Sequence, residues 1–323
     1  MSADLANPIF QDADKAREYL EAQRWPNGAI CPHCGNADPD AIRALKGKSH
    51  RPGVYQCNAC REQFTVTVGT VFERSKIPLN KWLLATHLMC ASKKGISAHQ
   101  LHRMLGVTYK TAWFMAHRIR EAMREDTASS GPLGGEGKIV EADETYFGKT
   151  DIQPKVTTSG RPFIKSGKTG PSGKRAVVGL VERGGKVRTF HVEKATKQTV
   201  RDILVQNASR KSTLHTDESK LYVETGKEFE AHHSVRHSAG EYVRGTIHSN
   251  TIENVFSVFK RGMRGTYQHC GEAHLHRYLT EFDFRYNRRS ALGMTDRERT
   301  DDALKGIEGK RLTYRRIGEA TIG

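Results

Sequence analysis

The sequence predicts an α/β protein in which a mixed-sheet domain follows two smaller modules. Three patterns indicate this organisation: two Cys-x-x-Cys pairs within residues 31–75, helical periodicity across residues 79–126, and alternating strand and helix patterns across residues 138–290. A chain of 323 residues is long enough for one sizeable core together with such modules.

The boundaries follow changes in composition. Residues 127–137 are small, polar and rich in glycine, which is typical of a linker. The predicted parts are an N-terminal lead (1–30), a cysteine module (31–75), a three-helix module (79–126), the linker (127–137), the α/β domain (138–290) and a C-terminal tail (291–323).

The chain is strongly basic. Lys and Arg number 52 against 36 Asp and Glu, which gives a net charge of +16 and a pI near 9.6. Such a balance favours a polyanionic partner, and nucleic acid is the commonest one. A generic basic protein is the alternative. We find no run of 18 apolar residues and no secretory leader pattern, so we expect neither a membrane span nor export.

The cysteine pairs predict a metal-stabilised module. The thiols of Cys31, Cys34, Cys57 and Cys60 can converge on one ion, and four thiolates close a tetrahedral shell. Structural Zn²⁺ is the favoured occupant, with a rubredoxin-like iron site or unligated thiols as alternatives. Strand character at Tyr55 and at residues 64–68 indicates a zinc ribbon.

The three-helix module has the helix-turn-helix pattern. Ser97 and Thr108 are expected N-caps and Gly106 an expected helix end between them. The last helix places Ala112, Ala116, Ile119 and Met123 on its apolar stripe. Five residues lie off that stripe and are predicted to contact DNA, although a solvated basic face is the alternative: Lys110, His117, Arg118, Arg120 and Arg124.

The α/β domain reads as a strand, a hairpin, a helix and a further strand. Residues 138–146 are predicted as a strand that ends on Asp143, residues 176–192 as the hairpin, and Thr196 as the cap of the helix. Residues 212–216 form the next strand, which Asp217 follows. This order is that of a ribonuclease-H-like core.

A late helix beginning at Asn250 or Thr251 places Glu253 in its first turn. Lys260 and Arg264 share its face by helical spacing. Three converging acids of this kind can hold two divalent cations, which can clamp the attacking and leaving oxygens of an in-line phosphoryl displacement. Each acid also has a structural alternative, as a turn acid (Asp143), a helix cap (Asp217) or a helix-dipole residue (Glu253).

Other polar residues surround the acids in sequence. Glu141, Glu144 and Glu218 are alternative acids, and strand alternation favours Glu141 as an auxiliary to Asp143. His248 and Asn250 could orient water or DNA, or could equally form the helix entry. The basic connection 149–175 is predicted to order on DNA.

The combined motifs resemble bacterial insertion-sequence transposases of the DDE class, in the ISXO-type group with an N-terminal zinc ribbon. The resemblance covers about residues 15–290. The segments that carry it are the cysteines of 31–60, DETYFG at 143–148, HTD at 215–217, HSNTIEN at 248–254 and FKRGMRG at 259–265. Some members have Asn or His where this chain has Glu253, so the acidic triad looks intact here.

The resemblance implies a metal-binding role for Asp143, Asp217 and Glu253, with two Mg²⁺ or Mn²⁺ ions, and a basic role for Lys260. It implies recognition of double-stranded DNA, both terminal inverted repeats and target, by at least a dimer in the bacterial cytoplasm near the nucleoid. Two rival functions remain open, a catalytically silent DNA-binding regulator and a ribonuclease-H-like nuclease or resolvase that cuts without joining.

Overall fold

A computed structural model describes residues 5–47, 49–126, 130–151, 155–156, 162–163 and 173–313. The chain divides into two compact units, Met1–Arg124 with Arg288–Gly323, and Glu125–Asn287. In the described parts, no helix is long and apolar enough to cross a membrane.

Among its described residues, the first unit contains two helices in the N-terminal lead, three strands in the cysteine module, three helices in the helical module and a C-terminal helix. Their bounds are α1 Pro8–Gln11, α2 Ala13–Arg24, β1 Ile42–Ala44, β2 Tyr55–Cys57, β3 Gln63–Phe64, α3 Leu79–Ala91, α4 Ala98–Leu105, α5 Tyr109–Met123 and α10 Asp296–Lys305.

The cysteine module is a small antiparallel sheet in the order β1-β2-β3. The predicted strand at residues 64–68 is wrong beyond Phe64, because the chain turns there and Val66 packs as a buried turn residue. The sheet is too short to supply a core of its own, and a metal site provides folding energy in modules of this size.

The helical module begins and ends where the caps predict. Ser97 accepts a hydrogen bond from the amide of Gln100, and Thr108 accepts one from the amide of Thr111. Gly106 ends α4 with a φ of 61°, the left-handed conformation in which glycine carries no side-chain penalty. The predicted caps of α4 and α5 are therefore confirmed.

Residues 291–313, the described part of the predicted tail 291–323, fold into the first unit. Helix α10 packs on α3, α2 and α5. Thr295 and Glu298 form a capping box, and the Thr300 hydroxyl lies 3.0 Å from Nδ1 of His87. The tail is thus part of the helical core.

The second unit contains the α/β elements. Their bounds are β4 Ile139–Lys149, β5 Lys155–Val156, β6 Pro162–Phe163, β7 Lys174–Glu182, β8 Val187–Val192, α6 Lys197–Asn207, β9 Thr213–Thr216, α7 Val223–Gly226, β10 Ala231–Ser234, α8 Asn250–Gly262 and α9 Leu275–Asn287. Most of the predicted DNA-ordered loop 149–175 lies outside the described residues.

The main sheet has the order β10-β9-β4-β7-β8. Strand β7 runs antiparallel to both β4 and β8, whereas β9 runs parallel to β4 and to β10. A hairpin followed by parallel strands on the other side of the first strand is the arrangement of a ribonuclease-H-like core, as the sequence predicts.

The sheet is covered on both faces. Alternate residues of β7 point to opposite sides, so Val177 and Val181 pack with α8 and α9, while Val178 and Leu180 pack with the α6 side. Gly179, between them, permits a close approach, because a Cβ there would lie 2.7 Å from Phe256 and 2.8 Å from Ile252. Helix α8 therefore lies directly on the strands that carry the acids.

Candidate active site

Two acids are brought together by strand register. Glu141 of β4 pairs in parallel with His215 of β9, and the pairing of these strands stops there. Asp143 lies two residues after Glu141, and Asp217 lies two residues after His215. These two acids therefore lie side by side where the strands diverge. The prediction that Asp143 ends its strand is wrong, because β4 continues to Lys149 along β7, but the end of the parallel pairing has the same effect.

A third carboxylate, Glu144, joins this pair. Ligand oxygens of Asp143, Glu144 and Asp217 all lie within 4.8 Å of one another. The hydroxyl of Tyr222, a wholly buried residue, donates to Glu144 at 2.7 Å, and the Ser219 amide donates to Asp217 at 3.0 Å. We refer to these three carboxylates as the acidic cluster.

Glu253 stands in the first turn of α8, as predicted, but outside the acidic cluster. Its Oε1 accepts a hydrogen bond from the Ser249 hydroxyl at 3.0 Å and lies 3.4 Å from Nε2 of His237. The side chain is 40 % exposed. Its charge nevertheless acts on the cluster, since it contributes to raising the pKa of both Asp143 and Asp217.

Burial and mutual repulsion dominate the electrostatics of the cluster. Burial, and after it the charge of Asp217, raises the pKa of Asp143 to about 8. Burial also raises the pKa of Glu144 and of Asp217. Carboxylates placed so close together fit a divalent cation, which oxygen donors of this type bind well.

Glu141 does not serve as the auxiliary acid that strand alternation favours. Its side chain is fully buried and faces Arg183 and the start of α8, with Arg183 Nη2 at 2.7 Å. The two side chains differ in their partners, since Asp143 lies in the acidic cluster whereas Glu141 accepts from Arg183 and from the first amides of α8. Glu144 takes the place near Asp143 that the sequence assigns to Glu141.

The remaining predicted residues of this unit lie on or beside α8. Lys260 is half-buried, and burial lowers its pKa while the charge of Asp143 opposes that change. Arg264 and Asn250 are exposed. His248 is half-buried with Nδ1 3.2 Å from Arg183 Nη2 and 3.4 Å from Glu141, which favours the helix-entry interpretation.

The basic face predicted for α5 is partly wrong. Arg118 and Arg120 are only 6 % and 2 % exposed, and His117 is fully buried. The Arg118 guanidinium donates to the carbonyl of Glu73 at 2.6 Å and lies over the Trp82 ring. Helix α5 packs against α3, α4 and α10, so residues off its apolar stripe are covered as well. Lys110 and Arg124 are exposed, and Arg124 pairs with Glu121 at 3.0 Å.

The four predicted thiols converge in the first unit. Sγ atoms of Cys31 and Cys60 are 3.7 Å apart, as are those of Cys34 and Cys57. A tetrahedral Zn²⁺ with bonds of about 2.3 Å separates its sulfurs by about 3.8 Å, so the geometry fits zinc. The amides of Cys60 and Ala59 are among the causes that lower the pKa of the Cys57 thiol to about 7, which favours the thiolate that binds metal.

Several site residues carried no sequence signal of their role. Arg183 lies in the β7–β8 turn, yet contacts Glu141, which is 42 residues away in sequence. Tyr222 and His237 lie in irregular stretches and reach the acids only through the fold. Glu144 was recognisable as an acid beside Asp143, but alternation assigned it to the opposite face.

The chain matches two known protein families. Residues 132–287, nearly the whole second unit, match the ISXO2-like transposase domain of the IS1595 family. Residues 11–63 match the transposase zinc-ribbon domain of the same family.

Relatives include a protein described as an uncharacterized protein in transposable element ISH50 of Halobacterium salinarum. It is 29 % identical over 289 residues, which cover 85 % of this chain and 91 % of that protein. Male abnormal protein mab-31 of Caenorhabditis elegans is 26 % identical over 160 residues, which cover 44 % of this chain and 36 % of that protein.

Among solved structures, the chain is similar to the Mos1 transposase paired-end complex and to a pre-cleavage Mos1 transpososome. Both are 11 % identical, with 65 % of this chain and 70 % of the other covered, and the TM-scores are 0.28 and 0.26. TM-scores this low are no evidence for the fold, which is assigned from the strand order of the main sheet.

Proposed function

We propose that this chain, which carries an IS1595-family transposase domain and a transposase zinc ribbon, is a DNA transposase that binds the ends of an insertion sequence and catalyses metal-dependent strand cleavage and strand transfer. The observation that carries the proposal is the parallel register that sets Asp143 beside Asp217, with Glu253 on the helix that covers them. The homologous protein in a transposable element supports the same class.

The catalytic metal would be Mg²⁺ or Mn²⁺, held by Asp143, Asp217 and Glu253. When bound, two such ions supply activation of the attacking oxygen and charge stabilisation of the leaving one. The carboxylates would contribute oxygen donors already held close together by the fold, so that cations and phosphate can be positioned with little rearrangement. For the acids to act together, Glu253 must leave Ser249 and His237.

The basic residues beside the cluster would bind the DNA backbone. Lys260 and Arg264 follow Glu253 along α8, and Lys174 lies near enough to Lys260 to lower its pKa. Phosphate contacts of this kind fix the register of the nucleic acid without reading its sequence. Asn250 is exposed at the start of α8 and is a further candidate contact, whereas His248 would act through the helix entry.

End recognition would belong to the first unit. Its zinc ribbon, with Zn²⁺ on the four cysteines, and its helix-turn-helix are the modules expected to contact terminal inverted repeats. Lys110 and Arg124 remain candidate phosphate contacts, while the burial of Arg118 and Arg120 assigns those two to the core. Joining two ends requires at least a dimer on DNA. A bacterial source and association with the nucleoid remain predictions, as the relative above is archaeal.

The test uses labelled double-stranded DNA carrying the inverted repeats that flank the coding region, mixed with the protein and Mg²⁺. We expect cleavage at the repeat and joining of the freed end to a second duplex, both abolished in Asp217→Asn. Intact cleavage and joining in this variant would remove Asp217 from the site. Cleavage without joining would identify a nuclease, and metal-independent binding without cleavage would identify a regulator.

A further inference from the structure

Glu141 is the most heavily bonded carboxylate near the candidate active site. Its side chain has no exposed surface. Oε1 accepts from Arg183 Nε at 2.9 Å, from Arg183 Nη2 at 2.7 Å and from the Thr251 hydroxyl at 2.9 Å. Oε2 accepts from the backbone amides of Thr251 at 2.8 Å and Ile252 at 3.1 Å. All acceptor positions are thereby directed at Arg183 and at the start of α8.

These contacts replace a missing helix cap. Ser249 precedes α8 but makes no side-chain cap, because its hydroxyl donates to Glu253 instead. The first amides of a helix have no partner within the helix and require an outside acceptor. Glu141 provides that acceptor from a strand 110 residues earlier in the chain, and its charge also suits the helix dipole.

The position of this contact couples the two halves of the site. Glu141 lies two residues before Asp143 on β4, and its second amide partner, Ile252, immediately precedes Glu253 on α8. Arg183 extends the contact by donating to the carbonyls of Thr246 at 2.8 Å and His248 at 3.1 Å, which lie in the segment that leads into α8. One carboxylate therefore joins the strand of the first acid to the helix turn of the third.

We propose that Glu141, supported by Arg183, is a positioning residue that fixes Glu253 relative to Asp143 and does not itself bind metal. The proposal rests on the transposase function proposed above, and it assigns the buried ion pair a role in metal affinity as well as in folding. Groups that orient metal ligands without touching the metal commonly change affinity or activity about 10–100-fold.

The chain contains a matched control. Glu281 on α9 is also fully buried, and it pairs with Arg285 and accepts from the Tyr267 hydroxyl. These two partners lie on α9 and after the end of α8, away from the start of α8. Glu281→Gln should therefore disturb a buried ion pair of the same unit to a similar degree without moving Glu253.

The experiment measures Mn²⁺ binding to the full chain by calorimetry and by the paramagnetic resonance of free Mn²⁺, together with kcat and KM for cleavage. We expect Glu141→Gln to weaken Mn²⁺ binding about tenfold and to lower kcat with KM nearly unchanged. Glu281→Gln should lower the unfolding midpoint while Mn²⁺ affinity stays within about twofold of the parent chain. Thr251→Val removes only one donor and should shift affinity in the same direction by a smaller factor, which keeps the test valid if Glu141→Gln fails to fold.

Equal Mn²⁺ affinity in the parent chain and in Glu141→Gln or Thr251→Val would overturn the proposal and leave Glu141 as a folding residue alone. Loss of Mn²⁺ binding in Glu141→Gln as complete as in Asp143→Asn would also overturn it, because Glu141 would then behave as a ligand. The binding measurement does not depend on strand transfer. An inactive parent chain that shows the expected Mn²⁺ shifts would contradict the proposed function without contradicting the positioning role.

Discussion

Glu141 and Asp143 lie two residues apart on strand β4 and have opposite surroundings. Glu141 is the last residue of β4 that pairs with β9, and its carboxylate is surrounded by donors from Arg183 and from the start of α8; we call this position the covered end of the β4–β9 pairing. Asp143 lies just beyond that pairing, where its carboxylate accepts the Glu144 amide and belongs to the acidic cluster; we call this position the open end. Burial, and after it the charge of Asp217, raises the pKa of Asp143. The first arrangement stabilises the fold, whereas the second keeps acids close together where the proposed cation would bind.

The largest expected effect comes from removing charge at the open end. Asp143→Asn should lower DNA cleavage at least about 100-fold, since even groups outside the ligand shell can cost this much. The unfolding temperature without metal should not fall, because the substitution relieves repulsion from Asp217. Activity and thermal unfolding, each with and without Mg²⁺, check this. A variant that is less stable without metal and still active would contradict the contrast between the two ends.

The next largest effect is expected from disturbing the packing of α8 on the sheet beside Asp143. Gly179 pairs with Asp143 across β4 and β7, and a Cβ there would meet Phe256 and Ile252 at under 3 Å. Gly179→Ala should push α8 away from the sheet and cost about 1–3 kcal/mol of unfolding free energy, with cleavage reduced as Glu253 shifts. Urea unfolding measures the loss. Gly265→Ala is the control, because a Cβ there meets no atom within 4 Å, and an equal cost in both variants would argue against this packing.

The carboxyl of Asp283 lies apart from both Glu141 and Asp143. It accepts from the Thr189 amide at 2.8 Å and from the Thr189 hydroxyl at 2.9 Å, and burial raises its pKa to about 8. A folded-state pKa above the unfolded value means that the folded protein holds the extra proton, so this group costs stability as pH rises from about 4 to about 8.

We therefore expect Asp283→Asn to gain stability relative to the parent chain as pH rises from 5 to 8, by up to about 1.4 kcal/mol per pH unit. Asparagine can still accept from the Thr189 amide and donate to its hydroxyl. Unfolding free energies at pH 5, 6.5 and 8 provide the measurement. A stability difference that does not change with pH would show that Asp283 is ionised in the folded protein throughout.

The smallest effect concerns the helical module, where basic residues again divide into exposed and covered ones. Lys110→Ala should reduce the slope of log affinity against log salt for DNA by about 1. Arg118→Ala should leave the slope unchanged and lower stability, because its guanidinium bonds Glu73 and covers Trp82. A changed slope for Arg118→Ala with an unchanged unfolding midpoint would return Arg118 to the DNA interface.

Local chemistry made much of the fold predictable. Ser97, Thr108 and Thr196 cap the helices that they were predicted to cap, because a side-chain oxygen satisfies a nearby amide whatever the surroundings. The strands of the hairpin also follow from apolar residues that alternate along the chain, and the buried face of α9 follows from apolar residues three or four positions apart. Burial of Arg118 could not be predicted in this way, since it depends on contacts with Glu73 and Trp82, which lie 45 and 36 residues earlier in the chain.

The sequence by itself determined the modules, the convergence of four cysteines, and the placement of Asp143 in a strand, of Asp217 after a strand and of Glu253 in the first turn of a helix, because each depends on local periodicity or spacing. Only the tertiary structure decided how the acids are partnered. Register between β4 and β9 places Asp143 beside Asp217. Arg183 and the first amides of α8, which lie far from Glu141 in the sequence, donate hydrogen bonds to its carboxylate. The environment of a carboxylate depends on these long-range neighbours, and no local pattern encodes them.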